Sequence, residues 1–156
     1  MMELTRKGEY AIRGIVHLAR LPHGNVALLS EIAEAADVPQ TFLAKIFQNF
    51  AKLGFVNSYR GTGGGFSLAR PASAITLREV VEAVDGPIAP NLCVAEEGEC
   101  ERSMTCAVHT VWRRVQEQVV GILDGVTIEA LAREEEKNIK ISQLHRKDAK
   151  NAKDKS

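Results

Sequence analysis

The chain has 156 residues, enough for one or two small domains, and 45% of them are apolar, as in ordinary folded proteins. It holds no run of about 18 apolar residues, and its opening Met1-Met2-Glu3-Leu4-Thr5-Arg6-Lys7 lacks the apolar core of a signal peptide, so a spanning helix is excluded and the cytoplasm is expected. Twenty Lys/Arg balance twenty Asp/Glu, but residues 1–86 carry net +1, residues 87–136 net −6 and residues 137–156 net +5, so local basic groups must decide for or against nucleic acid.

Residues 9–21 place Tyr10, Ile12, Ile15, Val16, Leu18 and Ala19 at helical spacing, and Pro22-His23-Gly24-Asn25 stops them. Ser30 is an N-cap candidate for a short Ala-rich helix over 31–36. Asp37-Val38-Pro39 breaks that helix, and Pro39 suits the first turn of the next one. The next helix spans 40–53, with Phe42, Leu43, Ile46, Phe47 and Phe50 expected inward and Gly54 at its end. Two helices joined by so short a turn predict a helix-turn-helix. Residues 55–59 and 66–69 read as strands around the turn Arg60-Gly61-Thr62-Gly63-Gly64-Gly65, which makes a hairpin wing. Thr76 caps a fourth helix over 77–84, ended by Asp85-Gly86-Pro87.

Residues 88–104 show little apolar periodicity and read as a loop, longer than a compact domain usually carries without a reason. From Cys106 a helix resumes, with Val108, Val111, Trp112, Val115, Val119, Ile122 and Leu123 in steps of three and four as far as Asp124-Gly125. An amphipathic helix beyond a finished domain needs a partner surface, and its own twin is the simplest. Thr127 caps a last short helix over 128–134. The lysine-rich segment from Lys137 is poor in apolar residues, and its final dozen residues read as disordered.

In a helix-turn-helix the helix over 40–53 enters the major groove. Gln40, Thr41, Lys45 and Gln48 would then supply donors and acceptors to base edges, and Arg60 and Thr62 at the wing tip would meet backbone or minor groove. The glycine run is not a nucleotide loop, because no Gly-Lys-Ser/Thr follows and no helix opens after it. No Ser-His-acid arrangement stands out, and an enzyme is not expected.

The three cysteines of the chain, Cys93, Cys100 and Cys106, lie in the loop, with His109 three residues beyond the last. An odd thiol count in a reducing compartment argues for metal or redox chemistry rather than a disulfide framework. Three thiolates and an imidazole can enclose a soft metal or an iron–sulfur cluster. Cys₃His is also a zinc shell, although the tight Cys-x₂₋₄-Cys knuckle is absent; unrelated thiols are the third alternative. The wide spacing in a loop suits a larger cluster better. Cys106 and His109 share a helix face, and the helix N-terminus favours the Cys106 thiolate.

Helix-turn-helix, glycine-rich wing and triple-cysteine loop, in this order, resemble the IscR/NsrR-type family of bacterial iron–sulfur transcription regulators. The resemblance rests on Leu4-Thr5-Arg6-Lys7-Gly8-Glu9-Tyr10-Ala11, on Leu29-Ser30-Glu31-Ile32-Ala33, and on the wing Arg60-Gly61-Thr62-Gly63-Gly64-Gly65-Phe66-Ser67-Leu68-Ala69. It covers roughly residues 2–135. It implies a homodimer on near-palindromic double-stranded DNA and a cluster that gates DNA affinity. It carries Cys93, Cys100 and Cys106 over as cluster ligands. His109 matches the branch with a Cys₃His-held [2Fe–2S] cluster, which is favoured over [4Fe–4S]. Glu9 stands where the other branch takes a carboxylate from the partner's first helix.

The expected protein is mainly α with a small β-hairpin. Residues 1–86 form a winged helix-turn-helix domain, 87–106 a cluster-binding loop, 107–136 a dimerisation helix and short terminal helix, and 137–156 a basic, disordered tail. The expected function is a DNA-binding transcription regulator, a repressor, sensing iron–sulfur status, redox state or nitric oxide. The alternatives are a cluster-free or zinc-bound winged-helix regulator, or a regulatory subunit that binds a partner enzyme.

Overall fold

The computed structural model describes residues 3–95 and 100–155. Helix α1 (Arg6–Arg20) starts at Thr5, whose hydroxyl accepts from the Gly8 amide at 3.1 Å. Helix α2 (Leu29–Ala36) begins one residue before the expected cap Ser30. Its first turn is closed by Glu31, whose carboxylate accepts from the Leu28 amide at 3.1 Å. Asp37 ends it with φ 54°, in the left-handed region that Asp tolerates. Helix α3 (Gln40–Lys52) follows directly, with Pro39 as its N-cap rather than inside its first turn.

Strands β1 (Val56–Tyr59) and β2 (Gly65–Leu68) pair antiparallel, Val56 opposite Leu68 and Tyr59 opposite Gly65. A third segment joins them: Ala27 exchanges both backbone hydrogen bonds with Phe66 at 2.9 Å each. That pairing was not anticipated, because a single bridging residue leaves no period-two pattern to read. It dictates Gly65, which has φ 150°, and any Cβ there would run into the Ala27 carbonyl.

The core sits between α1, α2, α3 and the hairpin. Ile15, Ile32, Leu43, Ile46, Phe47 and Phe50 are fully buried, and Phe47 meets Phe50 and Phe66 at ring-centroid distances of 5.6 and 5.2 Å. Helix α4 (Leu77–Asp85) packs on α1 and begins with a capping box. Thr76 Oγ1 accepts from the Glu79 amide at 3.2 Å, and Glu79 accepts from the Thr76 amide at 2.9 Å. These elements make a winged helix-turn-helix.

Two expectations are corrected. Phe42 is not inward: it is 55% exposed, with its ring edge-on to Tyr10 at 6.0 Å. It sits one residue before Leu43, and a step of about 100° per residue carries it off the buried stripe of Leu43, Ile46, Phe47 and Phe50. The last helix does not stop at Glu134, nor does a disordered tail follow it. Helix α6 runs unbroken over Ile128–Asp154. No Gly or Pro interrupts residues 126–156. Acidic residues cluster in the helix's first half and basic ones in its second, as the helix dipole favours.

Helix α5 (Ala107–Asp124) lies outside this core, and none of its residues is buried. Its far end is tied to the winged domain. Asp124 receives Arg78 Nη1 and Thr76 Oγ1, both at 3.4 Å. The turn after it is fastened by Leu77 N–H donating to Val126 O at 2.8 Å and Ile128 N–H to Ile75 O at 2.9 Å. Ile128 and Ala132 then bury the first turns of α6 against α1, with Arg20 and Glu135 paired at 3.5 Å.

Candidate nucleic-acid interface and thiol-lined cavity

The buried stripe of α3 decides what its other face offers. With Leu43, Ile46, Phe47 and Phe50 turned in, Gln40, Thr41, Lys45 and Gln48 are left exposed along the opposite side. Their side chains make no hydrogen bond or ion pair with a described residue, so their donors and acceptors are open to an incoming group. Gly14 sets how closely α3 seats on α1: a Cβ there would lie 2.8 Å from both Leu43 and Phe47 side chains. Arg60 and Thr62 stand exposed at the tip of the hairpin. The sequence reading also missed the Tyr10–Phe42 pair between α1 and α3, which Arg13 joins with its guanidinium 6.0 Å from the Tyr10 ring.

The second site lies between α5 and the described residues 88–95 and 100–104. A single turn of 3₁₀ helix, Leu92–Val94, carries Cys93, whose thiol donates to Asn91 Oδ1 at 2.9 Å. Gln116 on α5 holds this segment down, donating from Nε2 to Ile88 O at 2.9 Å and Val94 O at 3.0 Å. The space enclosed, about 700 Å³, is lined by Cys93, Cys100, His109, Arg113, Gln116 and Glu117 among others. His109, Arg113 and Gln116 follow one another at helical steps of four and three, so they form one face of α5. That spacing from His109 was the available signal for Arg113 and Gln116, which the sequence reading did not single out.

Of the four expected ligands, the cavity brings together Cys93, Cys100 and His109. Cys106 is half-buried as the N-cap of α5, one turn before His109, and is not part of the lining. Among the described residues no three Cys, His, Asp or Glu side chains stand close enough together to hold a metal ion. His109 Nδ1 is nevertheless buried with no hydrogen-bond partner, an acceptor or donor left facing its surroundings unsatisfied. A cavity lined by two thiols and an imidazole ring, with a third thiol one helical turn away, has the donor chemistry that suits a group bound by soft ligands. Glu9 is exposed in the first turn of α1 and does not line the cavity.

An exposed polar face on α3, backed by a core-seated hairpin, defines a winged helix-turn-helix protein, a class that presents one helix and one wing to duplex DNA. The chain belongs to the Rrf2 family, described as iron-dependent transcriptional regulator, whose profile matches residues 4–134. It is similar to the HTH-type transcriptional regulator IscR of Photorhabdus laumondii, 33% identical over 135 residues that cover 86% of this chain and 82% of that protein. IscR of Escherichia coli O1:K1 / APEC is 32% identical over 86% of this chain and 83% of its own. Among solved structures, CymR, the global cysteine regulator of B. subtilis, superposes with a TM-score of 0.70 at 27% identity, over 86% of this chain and 98% of that one. T. potens IscR shares the fold with a TM-score of 0.69 at 22% identity, over 87% and 90%. No described helix is long and apolar enough to cross a membrane.

Proposed function

We propose that this transcription regulator binds near-palindromic DNA as a homodimer, and that an iron–sulfur cluster held by Cys93, Cys100, Cys106 and His109 sets its DNA affinity. The observation that carries the reading is the cavity whose lining includes Cys93, Cys100 and His109, with Cys106 one helical turn from His109. The kinship to proteins named IscR supports it. When bound, such a cluster supplies a redox-active centre of variable charge that reacts with oxygen or nitric oxide. The mixed set of thiolates and one imidazole favours [2Fe–2S] over [4Fe–4S].

The chain's own residues connect that cavity to DNA. Cys106 and His109 begin α5, which is about 27 Å long. Asp124 at its other end is fastened to Thr76 and Arg78 at the start of α4, and α4 packs on α1, which also seats α3. Turning Cys106 into the cavity repositions the first turn of α5 and pulls on Gln116 and the 88–94 segment. A shift of α5 against its twin changes the distance between the two α3 helices. Half-sites one DNA turn apart, about 34–36 Å, then fit better or worse. Gln40, Thr41, Lys45 and Gln48 face bases in this reading, while Arg60 and Thr62 hold backbone or minor groove. We place the protein in the cytoplasm and read it as a repressor without catalytic activity.

The test is the visible spectrum and the iron, sulfide and zinc content of protein purified without air. A red-brown protein with sulfide-to-iron charge-transfer bands supports the reading. A colourless protein with stoichiometric zinc overturns it in favour of a zinc-bound regulator. The likeness to CymR, a global cysteine regulator, favours a second reading, a cluster-free regulator whose loop binds a protein or metabolite. Colourless, metal-free protein that still binds DNA supports that one.

A further inference from the structure

Helix α6 continues well past the part of the chain that the family shares. The family profile ends at residue 134, whereas the helix runs to Asp154. Its early turns pack on α1 through Ile128 and Ala132. Every described residue from Lys140 to Lys155 is exposed, a helical arm of about 22 Å. Residues 137–156 hold seven Lys/Arg against two Asp/Glu, net +5 in a chain whose total is zero. Gln143, Arg146, Lys150 and Lys153 follow at steps of three and four and prolong the face that Ala132, Glu135 and Ile139 begin. The side chains of Lys140, Arg146, Lys147 and Lys150 form no ion pair with any described residue.

A mostly polar helix that buries little is marginal without something to lie against. The arm's own chemistry says what that is. Its apolar side chains larger than alanine beyond residue 137 are Ile139, Ile141 and Leu144, too few for a continuous seam with another helix. Lys140, Arg146, Lys147 and Lys150 are closely spaced and make no ion pair with a described residue. Duplex DNA carries one negative charge per about 1.7 Å of axis, so an arm of this length spans a dozen or so phosphates.

We infer that the basic half of α6 is a second DNA contact, a helical arm that lies along the phosphate backbone outside the duplex covered by α3 and the wing. It adds affinity without sequence preference. The inference rests on the DNA-binding reading above, and concerns residues that the recognition helix and wing do not include.

The test compares the full-length protein with the variant K140Q/R146Q/K147Q/K150Q and with R60A. Gln keeps helix propensity close to that of Lys and Arg and breaks no contact, so equal far-ultraviolet circular dichroism is expected. Binding to a mixed-sequence duplex of about 40 base pairs is followed by anisotropy over a salt series. The expected result is binding weakened about tenfold or more at low salt. The slope of log K against log salt should flatten by between about one and about four units, because each lost phosphate contact removes about 0.9. Unchanged affinity and slope in the quadruple variant, with R60A weakened, overturns the arm and leaves the DNA-binding reading standing. Tighter binding by the quadruple variant also overturns it, since the arm would then be covering an acidic part of the chain. No binding of any duplex by the wild type at low salt sinks both.

Discussion

His109 unites a local spacing with a tertiary consequence. Its position three residues after Cys106 puts both on one face at the start of α5, and the fold then buries its Nδ1 without a partner. Under the cluster reading His109→Ala loses iron and sulfide. His109→Cys retains a cluster with a shifted spectrum, because thiolate can replace imidazole. Glu9→Gln leaves metal content unchanged, since His109 completes the ligand set in this reading. Iron and sulfide assays on the three variants check this, and loss of iron in Glu9→Gln with retention in His109→Ala would falsify the assignment. Phe47 makes a different point. It is fully buried against Phe50 and Phe66, and Phe47→Ala should cost about 3–5 kcal/mol in urea unfolding. The adjacent Gln48, exposed on α3, should tolerate Ala within about 0.5 kcal/mol.

Among the elements, α5 is the one whose apolar face is uncovered. Val111 is 54% exposed and Ile122 66%, with Val115 and Val119 between them on one side. Such a seam is of no use to a monomer. Replacing both Val115 and Val119 with Glu is expected to give a monomer in analytical sedimentation with weak operator binding. A wild type that is monomeric at micromolar concentration would refute the seam as a dimer contact. The two DNA-facing elements should fail differently. Gln40→Ala or Thr41→Ala should cost about 1–3 kcal/mol at one or two base positions and leave non-specific affinity alone. Arg60→Ala should weaken operator and scrambled DNA alike and flatten the salt dependence by about one unit. Isotherms on both duplexes separate these outcomes; equal losses on both for Gln40→Ala would mean that α3 does not read bases.

For the whole molecule, pH acts through contacts that join distant segments. Burial lowers the pKa of His17 from its ordinary 6.5, helped by the neighbouring Arg20 and opposed by Glu135 and Glu31. Burial also acts on Glu79, raising its pKa, but the Thr76 amide and the Arg70 guanidinium outweigh it and hold the carboxyl below its ordinary 4.5. Both depressions have the same sign. Each contributes stability that is present above the unfolded-state value and lost as pH falls through the folded one. Thermal midpoints should therefore be flat above about pH 6.5 and fall on acidification, first through His17 and then through Glu79. In His17→Gln the decline that begins below about pH 6.5 should shrink, which differential scanning calorimetry can follow. An unaltered profile would show that His17 has no part in it.

Local signals in the sequence determined the helix-turn-helix, the hairpin, the Thr76 and Thr127 caps and the buried stripe of α3. These depend on residues three or four apart, or on turn chemistry within a few positions. Cys93, Cys100, Cys106 and His109 stand out as candidate soft ligands from residue type and spacing alone, and three of them, Cys93, Cys100 and His109, line one cavity. Only the tertiary structure decided which donors share a cavity, because that depends on how the 88–95 segment is pinned to α5 by Gln116. It also decided the Ala27–Phe66 pairing that dictates Gly65, a contact between residues far apart in the chain. The outward turn of Phe42 came down to one helical step at the edge of an apolar stripe, which composition cannot resolve. Residues 137–154 read as disordered because they bury nothing. The structure makes them helical because nothing breaks the helix that Ile128 and Ala132 anchor on α1, and extending an anchored helix avoids the cost of nucleating a new one.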